Sequence, residues 1–92
     1  MNVWPYPIRV AGTSFRMKDN SQLLSDEVWL ERIKDNPHDA NAVGVWSIKD
    51  KEHLFIGYVP REIAAEIKDE QLPTKGEIVW KATEGLGLRI QI

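Results

Sequence analysis

Turn-forming residues recur so often along this chain that little but short strands fits between them. Pro5 and Pro7 keep the opening extended, and Gly12 closes a first apolar stretch, Ile8 to Val10. Lys34 to Asn41 (Lys-Asp-Asn-Pro-His-Asp-Ala-Asn) is the densest turn signal. Asn and Asp side chains bond nearby backbone there, and proline fixes φ. Lys49-Asp50-Lys51-Glu52 reads as a polar hairpin loop and Glu84-Gly85 as a second, while Pro60, Pro73 and Gly76 punctuate the rest. Breaks at intervals of roughly 8–12 residues are those of a small barrel or sandwich.

The stretches between the breaks are Val28 to Ile33, Ala42 to Ile48, Leu54 to Val59, Glu77 to Thr83 and Leu86 to Ile92. With Ile8 to Val10 they make about six strands. The last alternates most cleanly: Leu86, Leu88, Ile90 and Ile92 share one face, and Gly87, Arg89 and Gln91 the other. Ala42 to Ile48 is apolar on both parities, which predicts a central strand covered on both sides with Trp46 in the core. Trp80 either faces a surface groove or, as Ile78 and Ala82 two residues to either side suggest, the core. Met17 to Asp26 is polar apart from Leu23-Leu24 and is either a loop or one helical turn. From Arg61 to about Glu70 a helix is expected, opened by Pro60 and carrying a narrow stripe of Ile63, Ala64 and Ile67. The expected class is mainly β (α+β).

Ninety-two residues suffice for one domain, expected over residues 1–92. Hydrophobic residues at 42% and charged residues at 28% exclude a disordered or collagen-like chain. Cysteine is absent, which excludes disulfides, thiolate metal sites and cysteine nucleophiles. No basic segment leads into an apolar run at the start, and no apolar run nears the ~18–20 residues of a membrane span. The expectation is therefore a cytoplasmic protein without membrane contact. Twelve Lys and Arg against 14 Asp and Glu leave a net charge of −2. The overall field does not attract nucleic acid, so such binding needs a local basic patch. Arg16, Lys34, Arg61 and Lys68 are candidates for it.

Catalytic and metal patterns are missing. Asp35, Asp39 and Asn41 have the wrong spacing for a calcium loop, and Trp46 stands where its bidentate glutamate belongs. His38 and His53 are too few for zinc. Gly85-Leu86-Gly87 leads into a strand rather than a helix, unlike a phosphate loop, and Ser14 lacks a nucleophile elbow. No cofactor and no enzymatic activity are expected.

Three segments together carry a resemblance: Val10-Ala11-Gly12-Thr13-Ser14-Phe15-Arg16, Asn36-Pro37-His38-Asp39-Ala40-Asn41-Ala42-Val43, and Ile56-Gly57-Tyr58-Val59-Pro60-Arg61-Glu62-Ile63-Ala64. In this order and at these separations they resemble the HIRAN domain, over about Ile8 to Ile67. The resemblance implies a small OB-like β-barrel of about six strands with one or two short helices, here as a free-standing member. It also implies a non-catalytic DNA-binding module for single-stranded DNA with a free 3′ hydroxyl, and a place in DNA repair.

Residue by residue, the resemblance gives Phe15 a base-stacking position; its bland alternative is to pack the barrel mouth. Ser14 stands where the DNA-binding members place a basic residue, and Arg16 follows close behind. His38 stands where they have tyrosine, and Tyr58 where they have histidine, so two planar groups are kept with their places exchanged. Asp39 matches the acidic reader of the terminal sugar. A carboxylate accepts a hydrogen bond from a 3′ hydroxyl and repels a 3′ phosphate. Asp39 is equally suited to fix the loop as an Asx turn. Arg61 matches a basic position at the helix start, near a phosphate. Asn41 is expected to shape the turn. The competing expectation is a protein–protein interaction module that kept the fold and lost the DNA pocket, its four tryptophans serving an interface.

Overall fold

The computed structural model describes residues 2–92. Its strands are Ile8–Arg9 (β1), Glu27–Arg32 (β2), Val43–Lys49 (β3), Glu52–Tyr58 (β4), Thr74–Lys81 (β5) and Leu88–Gln91 (β6). Arg61–Glu66 forms one α-helix (α1), and single 3-10 turns cover Thr13–Phe15, Asn20–Gln22 and Asp69–Gln71. The strands pair antiparallel throughout, in the order β1-β6-β5-β2-β3-β4.

The two edges of this sheet meet just beyond β1. The Ala11 N–H donates to the Tyr58 carbonyl at 2.7 Å, and the Tyr58 N–H returns a bond to the Ala11 carbonyl at 2.8 Å. The result is a six-stranded half-barrel whose edges touch at one bridge, a mainly β, OB-like fold. Gly57 makes the contact possible. The β3–β4 register slips where Ile56 bulges, and Gly57 follows at φ 155°. A Cβ on it would stand 2.4 Å from the Ala11 carbonyl oxygen, so a side chain there would push the edges apart.

Alternation supplies the core. Val28 and Leu30 of β2, Val43 and Val45 of β3, Ile56 of β4 and Leu88 and Ile90 of β6 are fully buried, joined by Ile8, Ala64 and Ile67. Ser47 follows Val45 on the inner face. Its hydroxyl accepts the Leu24 N–H at 2.9 Å, pinning the segment before β2 over the barrel end. The polar stretch from Met17 to Asp26 is thus mostly loop, with one 3-10 turn.

Three expectations need correcting. Helix α1 stops at Glu66, short of Glu70, because Ile67 takes an extended conformation (φ −71°, ψ 128°) that drops its side chain into the core. Trp80 is 51% exposed. The β5–β6 register slips between Ile78 and Trp80, so Val79 is an extra residue and the parity after it is reversed. Trp46 is half-buried on the outer face, because Val43, Val45 and Ser47 take the inward parity of β3. Its ring lies over Gly44, where a Cβ would be 2.6 Å from Trp46 Cη2. Trp46→Ala therefore lowers stability by about 1.5–2.5 kcal/mol, roughly half the loss of a fully buried tryptophan. A urea midpoint shift matching a loss above about 4 kcal/mol would place Trp46 in the core after all.

Candidate functional site

The turn between β1 and the first polar loop begins at Gly12, whose φ of 77° suits glycine. Carbonyls of Gly12 and Thr13 accept the N–H groups of Phe15, Arg16 and Met17 at 2.9–3.1 Å. Thr13 and Met17 are buried, and the Thr13 hydroxyl donates to the Leu86 carbonyl at 3.2 Å. With both ends anchored inward, Ser14, Phe15 and Arg16 face solvent, and Phe15 is 88% exposed. The alternative in which Phe15 packs the barrel mouth is excluded by that exposure.

Arg16 leans back on the sheet. Its Cζ sits 4.7 Å from the centre of the Phe55 ring, a cation–π contact. Phe55 meets the half-buried Tyr58 edge-on at 5.2 Å, and Trp46 at 5.1 Å. Tyr58 also lies beside the turn: a Cβ on Gly12 would be 3.7 Å from its Cδ2. Phe55 was missed by sequence reasoning. Strict alternation puts it on the face opposite Tyr58, and only the Ile56 bulge brings the two rings together.

The loop from Lys34 to Asn41 is built by its own side chains. Asn36 Oδ1 accepts the N–H groups of His38 (2.9 Å) and Asp39 (3.1 Å), and Asp39 Oδ1 accepts that of Asn41 at 2.9 Å. Asp39 is thus an Asx-turn residue through one carboxylate oxygen; the other has no hydrogen-bond partner among the described residues. His38 is exposed and Asp39 half-buried. The Ile33 N–H and the Ala42 carbonyl close the loop at 2.8 Å.

One largely covered side chain, also missed from the sequence, fixes this loop to the helix. Arg32, at the end of β2, donates through Nη1 to the carbonyls of Asn41 (2.7 Å) and Ala64 (2.9 Å). Its Nη2 reaches the Ile67 carbonyl at 2.6 Å, and its Nε the Asp69 carboxylate at 2.9 Å. Nothing in the pattern of Val28 to Ile33 distinguishes it from a solvent-facing arginine.

Connectivity links the segments that carry the candidates. The Asp39 loop enters β3, Gly44 of β3 pairs with Tyr58, Tyr58 pairs with Ala11 before the Phe15 turn, and Arg61 opens α1 three residues after Tyr58. Arg16 and Tyr58 share the Phe55 ring, and Ser14 and Phe15 precede Arg16 on the same turn. His38, Asp39 and Arg61 make no hydrogen bond, ion pair or ring contact with that group among the described residues. Arg61, Lys34 and Lys68 are exposed. A groove of about 710 Å³ runs over the outer face of β2 and β3 between Trp29 and Trp46 and includes no candidate residue, and another of about 590 Å³ is lined by Lys34 beside Arg32 and Trp46. A single strand needs no deep cavity, since exposed rings and a charged rim bind it. Near the turn, the hydroxyl and the N–H of Ser21 hold the Asp19 carboxyl below its ordinary range.

No helix among the described residues is long and apolar enough to cross a membrane. A family model described as the HIRAN domain matches residues 7–84 of the 92. No curated protein and no solved structure matches the chain.

Proposed function

Because the chain belongs to the HIRAN domain family, a family of DNA-binding modules, we propose that it binds single-stranded DNA and reads free 3′-hydroxyl ends. The observation that carries this reading is Phe15, an apolar ring 88% exposed on a turn whose neighbours Thr13 and Met17 are anchored in the core. Folding gains nothing from displaying that ring, whereas a stacked base covers it, at about 1–3 kcal/mol per base and with any sequence. In this reading Phe15 stacks the terminal base. Arg16 and Arg61 neutralise phosphates, with Ser14 offering a hydroxyl donor. His38 extends the stack, Tyr58 supports it from the sheet, and the unengaged Asp39 oxygen accepts the terminal 3′ hydroxyl.

Fluorescence anisotropy with a labelled single strand and its duplex, at two salt concentrations, tests the reading. The single strand binds more tightly than the duplex. Each neutralised phosphate contributes about −0.7 to the slope of log K against log salt. Arg61→Ala lowers that slope by less than about one unit and weakens all sequences alike. Equal or absent binding of both DNAs contradicts the reading, and an unchanged slope removes Arg61 from the site.

A further inference from the structure

We infer that Arg9 and Arg89 form a second phosphodiester-binding site, on the outer face of β1 and β6, along which the single strand continues away from its 3′ end. The inference rests on the DNA-binding reading above and extends it to a surface that reading does not use.

The two arginines are direct partners in the β1–β6 ladder. Both are exposed, while Ile8, Ile90 and Leu88 on either side of them are buried. The Val10 N–H donates to the Leu88 carbonyl at 3.1 Å, which makes Val10 and Leu88 a hydrogen-bonded pair. By alternation Arg9 and Arg89 are a non-hydrogen-bonded pair, the kind whose Cα atoms lie about 4.5 Å apart and whose side chains are closest. Like charges in that position oppose folding. No carboxylate offsets them: among the described residues none comes within 4.0 Å of either guanidinium, and the ion pairs present join Arg32–Asp69, Lys75–Glu27 and Lys81–Asp26.

The surroundings point to the ligand. Trp80 is the partner of Arg89 on the other side, and the Arg89 Cζ lies 5.4 Å from its ring centre. The ring itself rests against Gly87, where a Cβ would be 3.2 Å away, so it is a firm support for Arg89. The extra residue Val79 is what turns Trp80 to this face. The large exposed apolar side chains include Val79 and Trp80 on β5, Tyr6 in the segment that leads into β1 and Phe15 on the turn that follows it. Unpaired cations among exposed rings fit a single-stranded polyanion, because guanidinium forks bind phosphate oxygens and relieve the repulsion between them. The surface is continuous with the end-reading turn. Thr13 bonds the Leu86 carbonyl, and Asn20 Nδ2 donates to the Gly87 carbonyl at 3.4 Å, so the Phe15 turn is tied to the chain that leads into Arg89.

The test compares two 3′-hydroxyl oligonucleotides, about 3 and about 12 nucleotides long, bracketing the lower range of OB-fold site sizes. Both are titrated against the parent and the Arg9→Gln/Arg89→Gln protein. On the long strand the salt slope of the double variant falls by about 1.4, two phosphates at about 0.7 each, and affinity drops roughly ten-fold or more. On the short strand its affinity stays within about two-fold of the parent. Its thermal midpoint is no lower than the parent's, because a repulsion has been removed. An unchanged slope on the long strand overturns the inference, and so does an equal loss on both lengths. If the parent binds neither oligonucleotide, the end-binding reading itself has failed, a result visible before any variant is made.

Discussion

Replacing Arg32 with alanine lowers stability by about 3–5 kcal/mol, although the residue sits in no catalytic or core position. Its guanidinium gives three donors to the carbonyls of Asn41, Ala64 and Ile67 and one to Asp69, and its side chain is only 10% exposed. Hydrogen bonds to a charged donor are worth about 1.5–3 kcal/mol each, but one side chain serves all of them, so the losses do not add fully. The Asp69 carboxylate is 77% exposed and contributes under about 1 kcal/mol. For a domain of this size the expected fall in Tm is at least ~12 °C. Arg32→Lys keeps the charge, loses the planar fork and recovers less than half of the loss. A scan in which Arg32→Ala melts within a few degrees of the parent would show that α1 and the Asp39 loop are held by other contacts.

Asp39→Asn separates end reading from folding. The amide keeps an oxygen for the Asn41 N–H, so the loop survives. What is lost is the charge. A charge-assisted bond to a 3′ hydroxyl is worth about 1.5–3 kcal/mol, a ten- to hundred-fold preference over a 3′ phosphate. The variant binds hydroxyl ends more weakly and rejects phosphate ends less, with Tm nearly unchanged. Phe15→Ala behaves differently: it weakens both ends together, because a stacked ring does not sense the terminus. If Asp39→Asn leaves the ratio between the two ends where the parent has it, Asp39 serves the turn alone.

Much of the fold is legible in the sequence because turn chemistry and alternation are local. Leu88, Ile90 and Ile92 face the core as their spacing requires, and Lys49 to Glu52 brackets the β3–β4 turn. Bulges defeat this logic. One extra residue at Val79 sends Trp80 outward, and one at Ile56 brings Phe55 beside Tyr58, yet neither valine nor isoleucine announces a register slip. Trp46 misled for another reason. A strand with apolar residues on both faces need not be covered on both, since large rings on the outer face can cover one another and a glycine such as Gly44. Arg32 was invisible because its partners are backbone carbonyls from two other segments, the Asn41 loop and the end of α1. The candidate residues were named from motif order; Arg16 and Tyr58 share the Phe55 ring, while His38, Asp39 and Arg61 make no hydrogen bond, ion pair or ring contact with that group among the described residues. The Arg9–Arg89 pair depends on ladder register, which no local pattern encodes.

The central claim, that this chain reads free 3′ ends of single strands, is tested most directly by competing two otherwise identical oligonucleotides for the parent protein, one ending in a 3′ hydroxyl and the other in a 3′ phosphate. The expected result is a Kd lower for the hydroxyl end by roughly ten- to hundred-fold, the size of one charge-assisted hydrogen bond. Equal Kd values for the two ends would contradict it.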